Sequence, residues 1–395
     1  MTPPRILPLL LSLTLSTLAQ AATHQVTVNA GDHDRDQTIV SFPIPADVTD
    51  GAWQLTDGTS VTSMQVHNGQ GWFILRNLKA GQSHTYRIEP IANSPATVDV
   101  SRDGGVVHVR VGGKELFDYQ GAKVPPPAGV QPVYERGGYI HPILTPTGTQ
   151  VDDDYPLNHK HHHGIWSVWT KTEFEGRHPD FWNMGDKTGT SEPRGFKDLF
   201  SGPVCGGFHA EHQMIDLSAK PPKPAINEQW DVIAFRAGEG DKPYYVFDII
   251  VHHQCASESP LKLPEYLYGG MGFRGASDWN GEGKYTFLTD DGKDVKTGNG
   301  TRCRWCFTGG LVNGKPAGIT IFCGTDSFRY PQPVRLNPKE PFFCYAPPAM
   351  GEFAITPSQP YYARYRFMVA DGMADKALIE RIATDYESPP TVKVN

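Results

Sequence analysis

Hydrophobic and polar residues alternate in short runs along most of this chain. Examples are HQVTVNA (residues 24–30), VVHVRVGG (106–113) and YYARYRFMVADG (361–372). Alternation with a period of two is typical of a β-strand that buries one face, and 41 glycines and 34 prolines supply turn residues between the runs. The pattern predicts a mostly β fold.

A helical pattern is clear near the C-terminus. Leu378, Ile382 and Tyr386 follow one another at intervals of four residues, and two prolines come soon after them. Apolar residues at this spacing share one face of a helix, and proline ends it. We therefore predict a helix from Met373 to Tyr386 that packs against a sheet.

A change of pattern near residue 95 suggests a domain boundary. Residues 22–95 suit a small β-sandwich of the immunoglobulin or fibronectin type. Residues 96–390 are too many for a simple sandwich, so we predict two large antiparallel sheets there, together with the C-terminal helix. Residues 391–395 are expected to form a short tail.

The N-terminus has the layout of a secretory signal. Arg5 precedes an apolar run that reaches Leu18, and small residues stand at Ala19 and Ala21. This arrangement predicts a signal peptide over residues 1–21 with cleavage after Ala21. No later stretch is apolar enough for a membrane span. We expect a periplasmic or secreted protein.

Composition narrows the classes of function. The net charge is −7 and 38% of residues are hydrophobic, which fits a folded chain with a sizeable core. No block of basic residues is present, which argues against nucleic acid as a partner. No G-x-S-x-G motif is present, which argues against a serine hydrolase.

All six cysteines lie in the C-terminal half. In an oxidising compartment an even number permits disulfides, whose pairing the sequence leaves open, and the alternative is buried thiols. Cys303 and Cys306 form a C-x-x-C pair, but the surrounding sequence lacks the β-α-β pattern of a redox site. The cysteines are Cys205, Cys255, Cys303, Cys306, Cys323 and Cys344.

The stretch DDDYPLNHKHHHGIWSVW, residues 152–169, is unusually rich in histidine. If it is extended, His159, His161 and His163 point to one side and His162 to the other. An H-x-H pair of this kind can supply nitrogen ligands to a divalent metal, with a further ligand from elsewhere.

Two other roles for these histidines stay open. Imidazoles can bind sugar hydroxyls or transfer protons near neutral pH, because their unperturbed pKa is about 6.5. They can also simply bond to backbone groups and support a loop.

Downstream, GRHPDFWNMG (residues 176–185) groups three further candidates. Asp180 is a possible carboxylate partner for a histidine. Trp182 offers a flat apolar face to a pyranose ring and Asn183 a planar polar group, although core packing is an equal alternative for the tryptophan. Candidates for the paired carboxylates of a glycosidase, whose separation the sequence does not give, are Glu135, Asp180, Glu265 and Glu352.

Arginines are frequent in the C-terminal part. Arg274 and Arg329 are candidates for clamping a carboxylate, a sulfate or a keto oxygen, and Trp279 for an aromatic platform. Scattered arginines are also common as surface or ion-pair residues.

The ordered motifs YIHPILTPTGTQVDDDYPLNHKHHHGIW, DFWN, YGGMGFRGASDW and PFFCYAPPAMGEF resemble the secreted bacterial family labelled PmoA-like, or methane oxygenase. The resemblance runs from Tyr139 to Pro390. In that family the central motif usually reads H-P-H-H-R-G. The matching positions here are His159, His161, His162 and Gly164, whereas Lys160 and His163 replace the proline and the arginine.

The resemblance implies a two-sheet supersandwich similar to galactose mutarotase, in a family typical of glycan-degrading bacteria. The label PmoA-like does not describe the activity of this chain. The methane monooxygenase subunit of that name is a membrane protein with several spans, and the mature chain has no apolar stretch for even one. We therefore exclude a membrane methane monooxygenase.

These observations together predict a secreted carbohydrate-active protein. The leading hypothesis is an enzyme that cleaves or modifies a glycan or glycoside by hydrolysis, elimination or proton transfer at a sugar carbon, without a cofactor. The alternatives are a non-catalytic glycan-binding protein and an enzyme with a divalent metal at His159, His161 and His163. The predicted catalytic residues are His159, His161, His162 and Asp180, and the predicted substrate-binding residues are His163, Trp166, Trp182, Asn183, Arg274, Trp279 and Arg329.

Overall fold

The structure is a computed structural model that describes residues 24–91 and 94–395. The predicted signal peptide and its cleavage site lie outside the described residues, so both stay predictions. Within the described residues, no helix has the length and apolar character needed to cross a membrane.

The alternating runs near the N-terminus form β-strands. In β8, Val107, Val109 and Val111 are buried, while the residues between them are partly exposed. Side chains alternate along a strand, so every second residue enters the core. The first strands are β1 (Gln25–Asn29), β2 (Thr38–Pro43), β3 (Gly51–Thr56), β4 (Val61–His67), β5 (Gln70–Leu75), β6 (Ser83–Pro90), β7 (Val98–Asp103), β8 (Val106–Val111) and β9 (Lys114–Gln120).

The rest of the described chain adds longer strands and short helical segments. The strands are β10 (Tyr139–Ile143), β11 (Ile165–Val168), β12 (Glu173–Phe174), β13 (Gly189–Phe200), β14 (Cys205–Asp216), β15 (Lys223–Phe235), β16 (Tyr244–Cys255), β17 (Leu261–Leu263), β18 (Gly270–Arg274), β19 (Tyr285–Thr289), β20 (Trp305–Val312), β21 (Lys315–Cys323), β22 (Val334–Leu336), β23 (Phe342–Tyr345), β24 (Phe353–Ile355), β25 (Tyr361–Asp371) and β26 (Thr391–Val394). The helices are α1 (Val295–Gly298) and α2 (Lys376–Glu387), and 3₁₀ turns cover Pro132–Tyr134, Met184–Asp186, Ser277–Trp279 and Pro347–Met350.

The described strands form four sheets, and paired strands run antiparallel. The N-terminal sheet has the order β2-β5-β4-β3-β6-β1-β26. The short-strand sheet has the order β22-β23-β18-β11-β10-β9-β8-β7, and the long-strand sheet has the order β13-β14-β15-β16-β25-β21-β20-β19. A small sheet contains β12, β17 and β24.

The short-strand and long-strand sheets pack against each other through aromatic side chains. The ring centroids of Phe117 and Phe247 lie 4.8 Å apart, and those of Tyr345 and Tyr365 lie 5.4 Å apart. Each pair joins one sheet to the other across a buried core. The predicted mostly β class with several antiparallel sheets is therefore confirmed, whereas the domain boundary at residue 95 stays a prediction.

The predicted C-terminal helix is confirmed as α2. It begins after Asp375, whose side chain accepts a hydrogen bond from the backbone nitrogen of Leu378 at 3.2 Å. The start is a few residues later than the predicted Met373, because Met373 lies in a bend and the side chain of Asp375 caps the first turn. Ile379 and Ile382 on its apolar face are buried in a core that also contains residues of the long-strand sheet.

The expected tail at residues 391–395 is instead mostly a strand. β26 pairs with β1, with Val394 opposite Val26 and Val392 opposite Val28. The two valines of β26 pack on the core of the N-terminal sheet. Their alternation with polar residues is too short to stand out in the sequence, and the pairing partner is more than 360 residues away.

The six cysteines are free thiols in the structure, and all but Cys255 are buried. Burial raises the pKa of the buried thiols, because a thiolate is poorly solvated away from water. Of the two alternatives that the sequence left open, the structure shows buried thiols and no disulfide.

Candidate functional site

A cavity of about 250 Å³ opens beside the short-strand sheet. His159, His161 and His162 form one part of its wall. These are three of the four histidines in the stretch that the sequence pattern singled out, so the histidine-rich segment does reach a cavity.

The histidine segment is not extended. Turns interrupt it, and β11 begins only at Ile165. The backbone nitrogen of His162 donates to the carbonyl of His159 at 2.9 Å, which closes a tight loop. As a result the rings of these two residues stack at 4.7 Å, and His161 meets His162 edge-on at 4.8 Å. The alternation of side chains that an extended strand would give is therefore absent.

His163 points away from the cavity. Its Nδ1 lies 2.5 Å from Oδ1 of Asp154, its ring stacks on Tyr139 at 4.2 Å, and its side chain is fully buried. His159, His161 and His163 consequently do not share a side. In the ranges that the structure describes, no three histidine, cysteine or acidic residues are grouped to hold a metal ion. The three imidazoles therefore do not converge as an extended strand would require, and the alternative of a metal at these residues stays a prediction.

Three aromatic rings form a second part of the wall. The ring centroid of Trp182 lies 5.3 Å from that of Tyr268 and 5.8 Å from that of Phe342. Trp182 can lie directly on the short-strand sheet because the residue of β18 beneath it is Gly272. A Cβ at that position would be 3.0 Å from the edge of the Trp182 indole. The absence of a side chain at Gly272 thus allows the ring of Trp182 to pack close to the backbone.

Asp180 supports the loop that contains Trp182. Its Oδ1 accepts from the backbone nitrogens of Trp182 and Asn183, at 3.0 and 2.8 Å. Its Oδ2 accepts from Thr170 Oγ1 at 2.8 Å and from Asn183 Nδ2 at 2.9 Å. Asp180 is buried and does not line the cavity, so the structure places it as a positioning residue, whereas Asn183 does line it.

Glu340 lies behind the histidines and was not among the residues singled out from the sequence. Its Oε2 lies 3.0 Å from Nδ1 of His159, at an angle too bent for a good hydrogen bond, and it also contacts Arg274. Its Oε1 accepts from Asn337 Nδ2 at 2.8 Å. Burial raises the pKa of Glu340, but the contacts with His159 and Arg274 outweigh it and lower the pKa to about 2. The carboxylate is therefore ionised beside His159.

Arg274 is fully buried. One end of its guanidinium group pairs with Glu340, and the other donates to Asn280 Oδ1 at 2.5 Å. The predicted role as a clamp on a ligand does not fit this position, because the group does not line the cavity. It instead anchors the carboxylate that contacts His159.

The remaining predicted residues also lie outside the wall. Trp166 is fully buried behind Trp182, with ring centroids 5.0 Å apart, and Trp279 is fully buried in the core. Arg329 donates to the carbonyl oxygens of Pro347 and Gly351, at 2.8 and 2.7 Å, and so fixes a loop. The carboxylates that the sequence offered as glycosidase candidates likewise do not line the cavity: Glu135, Glu265 and Glu352.

The imidazoles next to the aromatic rings are neutral near pH 7. Burial lowers the pKa of His161 to about 3 and holds the pKa of His162 well below its ordinary value. Burial raises the pKa of Tyr268 to about 12, so its hydroxyl keeps its proton and accepts from Asn183 Nδ2 at 3.1 Å. The wall therefore presents neutral hydrogen-bonding groups together with the apolar rings.

Arg335 and Asn337 complete the wall on the side of β22 and β23. Arg335 lies on β22 between Val334 and Leu336, which are buried. Its side chain therefore leaves the sheet on the opposite face from theirs, the face that also holds Phe342.

Fold and cavity define a β-sandwich protein with a cavity lined by histidines and aromatic rings. By sequence the chain belongs to the family of unknown function DUF6807, whose model matches residues 106–384. No curated protein matches the chain. This family assignment does not show the PmoA-like resemblance, which stays a prediction.

Two solved structures are similar in their backbone course. An alpha-mannosidase from Enterococcus faecalis V583 gives a TM-score of 0.44 at 8% identity, covering 94% of this chain and 46% of that one. A protein in the glycosyl hydrolase family 38 from Enterococcus faecalis gives 0.41 at 9% identity, covering 94% and 47%. The chain spans about half the length of each.

Proposed function

We propose that the chain is a carbohydrate-active enzyme whose cavity binds a sugar ring and whose imidazoles transfer a proton. The observation that supports this is the composition of the cavity wall, which combines aromatic rings with imidazoles and amides. A pyranose has apolar C–H faces and a rim of hydroxyls, so it needs both kinds of surface. At about 250 Å³ the cavity is small for a ligand site and suits one sugar unit.

His159 is the residue that we assign to proton transfer. Its ring is partly exposed, at 37%, while Glu340 behind it is buried and ionised. A negative charge 3.0 Å from Nδ1 stabilises the imidazolium that forms when the ring accepts a proton. Hydrolysis, elimination and proton transfer at a sugar carbon each need such a base.

His161 and His162 have a supporting role in this proposal. As neutral imidazoles they offer an acceptor or a donor to sugar hydroxyls without the cost of burying a charge. We also propose that the predicted signal peptide directs the protein to the periplasm or outside the cell.

A non-catalytic glycan-binding protein is the second candidate. The observation that favours it is the packing of His162, whose ring is stacked between those of His159 at 4.7 Å and Phe342 at 4.6 Å. A ring held on both faces is suited to forming a wall. In this role the same cavity would hold sugar without converting it.

A glycan screen with matched variants tests the proposal. The purified protein is incubated with plant and algal glycans, and reducing ends and unsaturated products are measured. We expect product from one glycan class and a loss of turnover of at least about tenfold in His159→Gln, because the base is removed. The control is His108→Gln, since His108 also pairs with a carboxylate, Asp118 at 2.7 Å, but lies outside the cavity.

The outcomes separate the two candidates. Full turnover in folded His159→Gln would rule out this residue as the base. Sugar binding without product from any glycan would favour the glycan-binding protein. Absence of both binding and product would overturn both candidates.

A further inference from the structure

Arg335 differs from the other cavity residues in its charge and in its incomplete pairing. It lines the cavity, and its Nη1 donates to Asn299 Oδ1 at 3.2 Å. That oxygen also accepts from the backbone nitrogen of Leu336 at 3.0 Å, so the contact is shared. A guanidinium group has five N–H donors, and most of those of Arg335 are not used by the described residues.

Other arginines of the chain are paired with carboxylates. Arg366 makes a two-point contact with Asp248, at 2.8 and 2.9 Å. Arg304 contacts Glu380 and Glu387, each at 3.0 Å. No acidic side chain of residues 24–91 or 94–395 lies within 4.0 Å of the Arg335 guanidinium nitrogens. Its charge is therefore available to a ligand.

The charge around Arg335 is not cancelled by the rest of the wall. Glu340, the carboxylate behind the histidines, is buried and contacts His159, Arg274 and Asn337. The lining residues that the structure describes include no other lysine or arginine and no acidic side chain. A single planar cation thus stands at the edge of a largely neutral cavity.

We infer that Arg335 makes the cavity selective for a sugar that bears an anionic group, a carboxylate or a sulfate. The inference rests on the proposed function, since it assumes that the cavity takes a sugar. A planar guanidinium can bind either anion with two parallel hydrogen bonds, which gives orientation as well as attraction. Asn337, on the same side of the wall, offers an amide to a neighbouring hydroxyl.

Binding measurements with three sugars test the inference. Glucuronate, glucose 6-sulfate and glucose are titrated into the full chain by calorimetry. We expect at least one of the two anionic sugars to bind at least tenfold more tightly than glucose, and the better of the two identifies the anion. Raising the salt concentration should weaken binding of the anionic sugar more than binding of glucose, because ions screen the attraction between Arg335 and the anionic group.

Arg335→Gln and a matched arginine variant separate a specific role from a general charge effect. Arg335→Gln should remove the tenfold preference, because it weakens binding of the anionic sugar at least tenfold. Arg302→Gln is the control, because Arg302 donates to the carbonyl oxygens of Tyr330 and Pro331, at 2.6 and 2.7 Å, and does not line the cavity. It should keep the preference.

The results that contradict the inference differ from those that contradict the proposed function. If glucose binds as tightly as both anionic sugars, or if Arg335→Gln keeps the preference, the cavity takes a sugar but Arg335 does not select it. If none of the three sugars binds, this inference is overturned, and the proposed function is then decided by the glycan screen.

Discussion

Two networks of histidine and carboxylate groups differ in this protein mainly in their access to solvent. In the long-strand sheet, Glu228 on β15 lies between its cross-strand neighbours His212 and His253. The distances are 2.9 and 2.8 Å, and all three side chains are at most 1% exposed. Beside the cavity, Glu340 contacts His159, which is 37% exposed.

The chemical groups alone therefore do not identify a site. Burial raises the pKa of Glu228, yet contacts with His212 and His253 hold it well below its usual range, so both Glu228 and Glu340 are ionised beside imidazoles. Of the histidines in these two networks, only His159 lines the cavity and is placed to contact a ligand. We call Glu228, His212 and His253 the sealed network and expect its loss to affect stability. We expect loss of the Glu340–His159 contact to affect binding and turnover.

The largest expected effect is in the sealed network. Glu228→Ala leaves the buried imidazole of His253 and the indole Nε1 of Trp230 without their acceptor. It also removes the carboxylate that lies 2.9 Å from Nδ1 of His212. Leaving a buried donor without its hydrogen-bond partner costs about 1–3 kcal/mol for each group, or about 2–6 kcal/mol for His253 and Trp230 together. Urea unfolding should show a loss of that size, while the folded variant keeps the sugar affinity of the wild type. A loss below about 1 kcal/mol would show that this network does not stabilise the fold in the way described.

A smaller effect is expected from pH. The pKa of His161 is lowered to about 3 in the folded protein, against about 6.5 in an unfolded chain. Between these values the unfolded chain binds the additional proton, so this contribution to stability is lost as the pH falls below about 6.5. His161→Gln should therefore flatten the dependence of unfolding free energy on pH between 6.5 and 4.5. Each such proton accounts for at most about 1.4 kcal/mol per pH unit.

The control for the pH experiment is His108→Gln, whose partner Asp118 lies outside the cavity. Urea unfolding at a series of pH values gives both slopes. If His161→Gln and the wild type have the same slope, the folded His161 titrates normally and the neutral imidazole of the proposed cavity is contradicted.

The smallest effect concerns Tyr268. Tyr268→Phe removes the hydroxyl that accepts from Asn183 Nδ2 at 3.1 Å while keeping the ring beside Trp182. We expect a loss of about 1 kcal/mol in unfolding free energy and a few-fold weaker sugar binding. An unchanged affinity would show that the hydroxyl contributes to the wall only through packing.

Much of the fold could be predicted from the sequence. Alternating runs such as VVHVRV became strands, and the four-residue spacing of Leu378, Ile382 and Tyr386 became α2. Local periodicity is sufficient for such elements because it reflects which face is buried. β26 could not be predicted, because its stability depends on pairing with β1 at the other end of the chain.

The cavity was only partly predictable. His159, His161, His162, Trp182 and Asn183 lie close together in sequence, and the structure brings them to one cavity. The pattern could not show that the loop before Ile165 turns His163 toward Asp154. The sequence also could not show that Arg335 lacks a carboxylate partner while other arginines have one, since such pairing depends on tertiary contacts. The residues that sequence reasoning did not place at the site are Tyr268, Arg335, Asn337, Glu340 and Phe342.

Nuclear magnetic resonance of the protein with ¹⁵N-labelled histidine tests the difference between the two networks most directly. The ring resonances are assigned with single His→Gln variants, and glucuronate and glucose are then added. We predict that the ring nitrogens of His159, His161 and His162 shift on addition of the sugar that binds, while those of His212 and His253 stay unchanged. Shifts at His212 or His253 without any at the cavity histidines would contradict the assignment of the cavity as the sugar site.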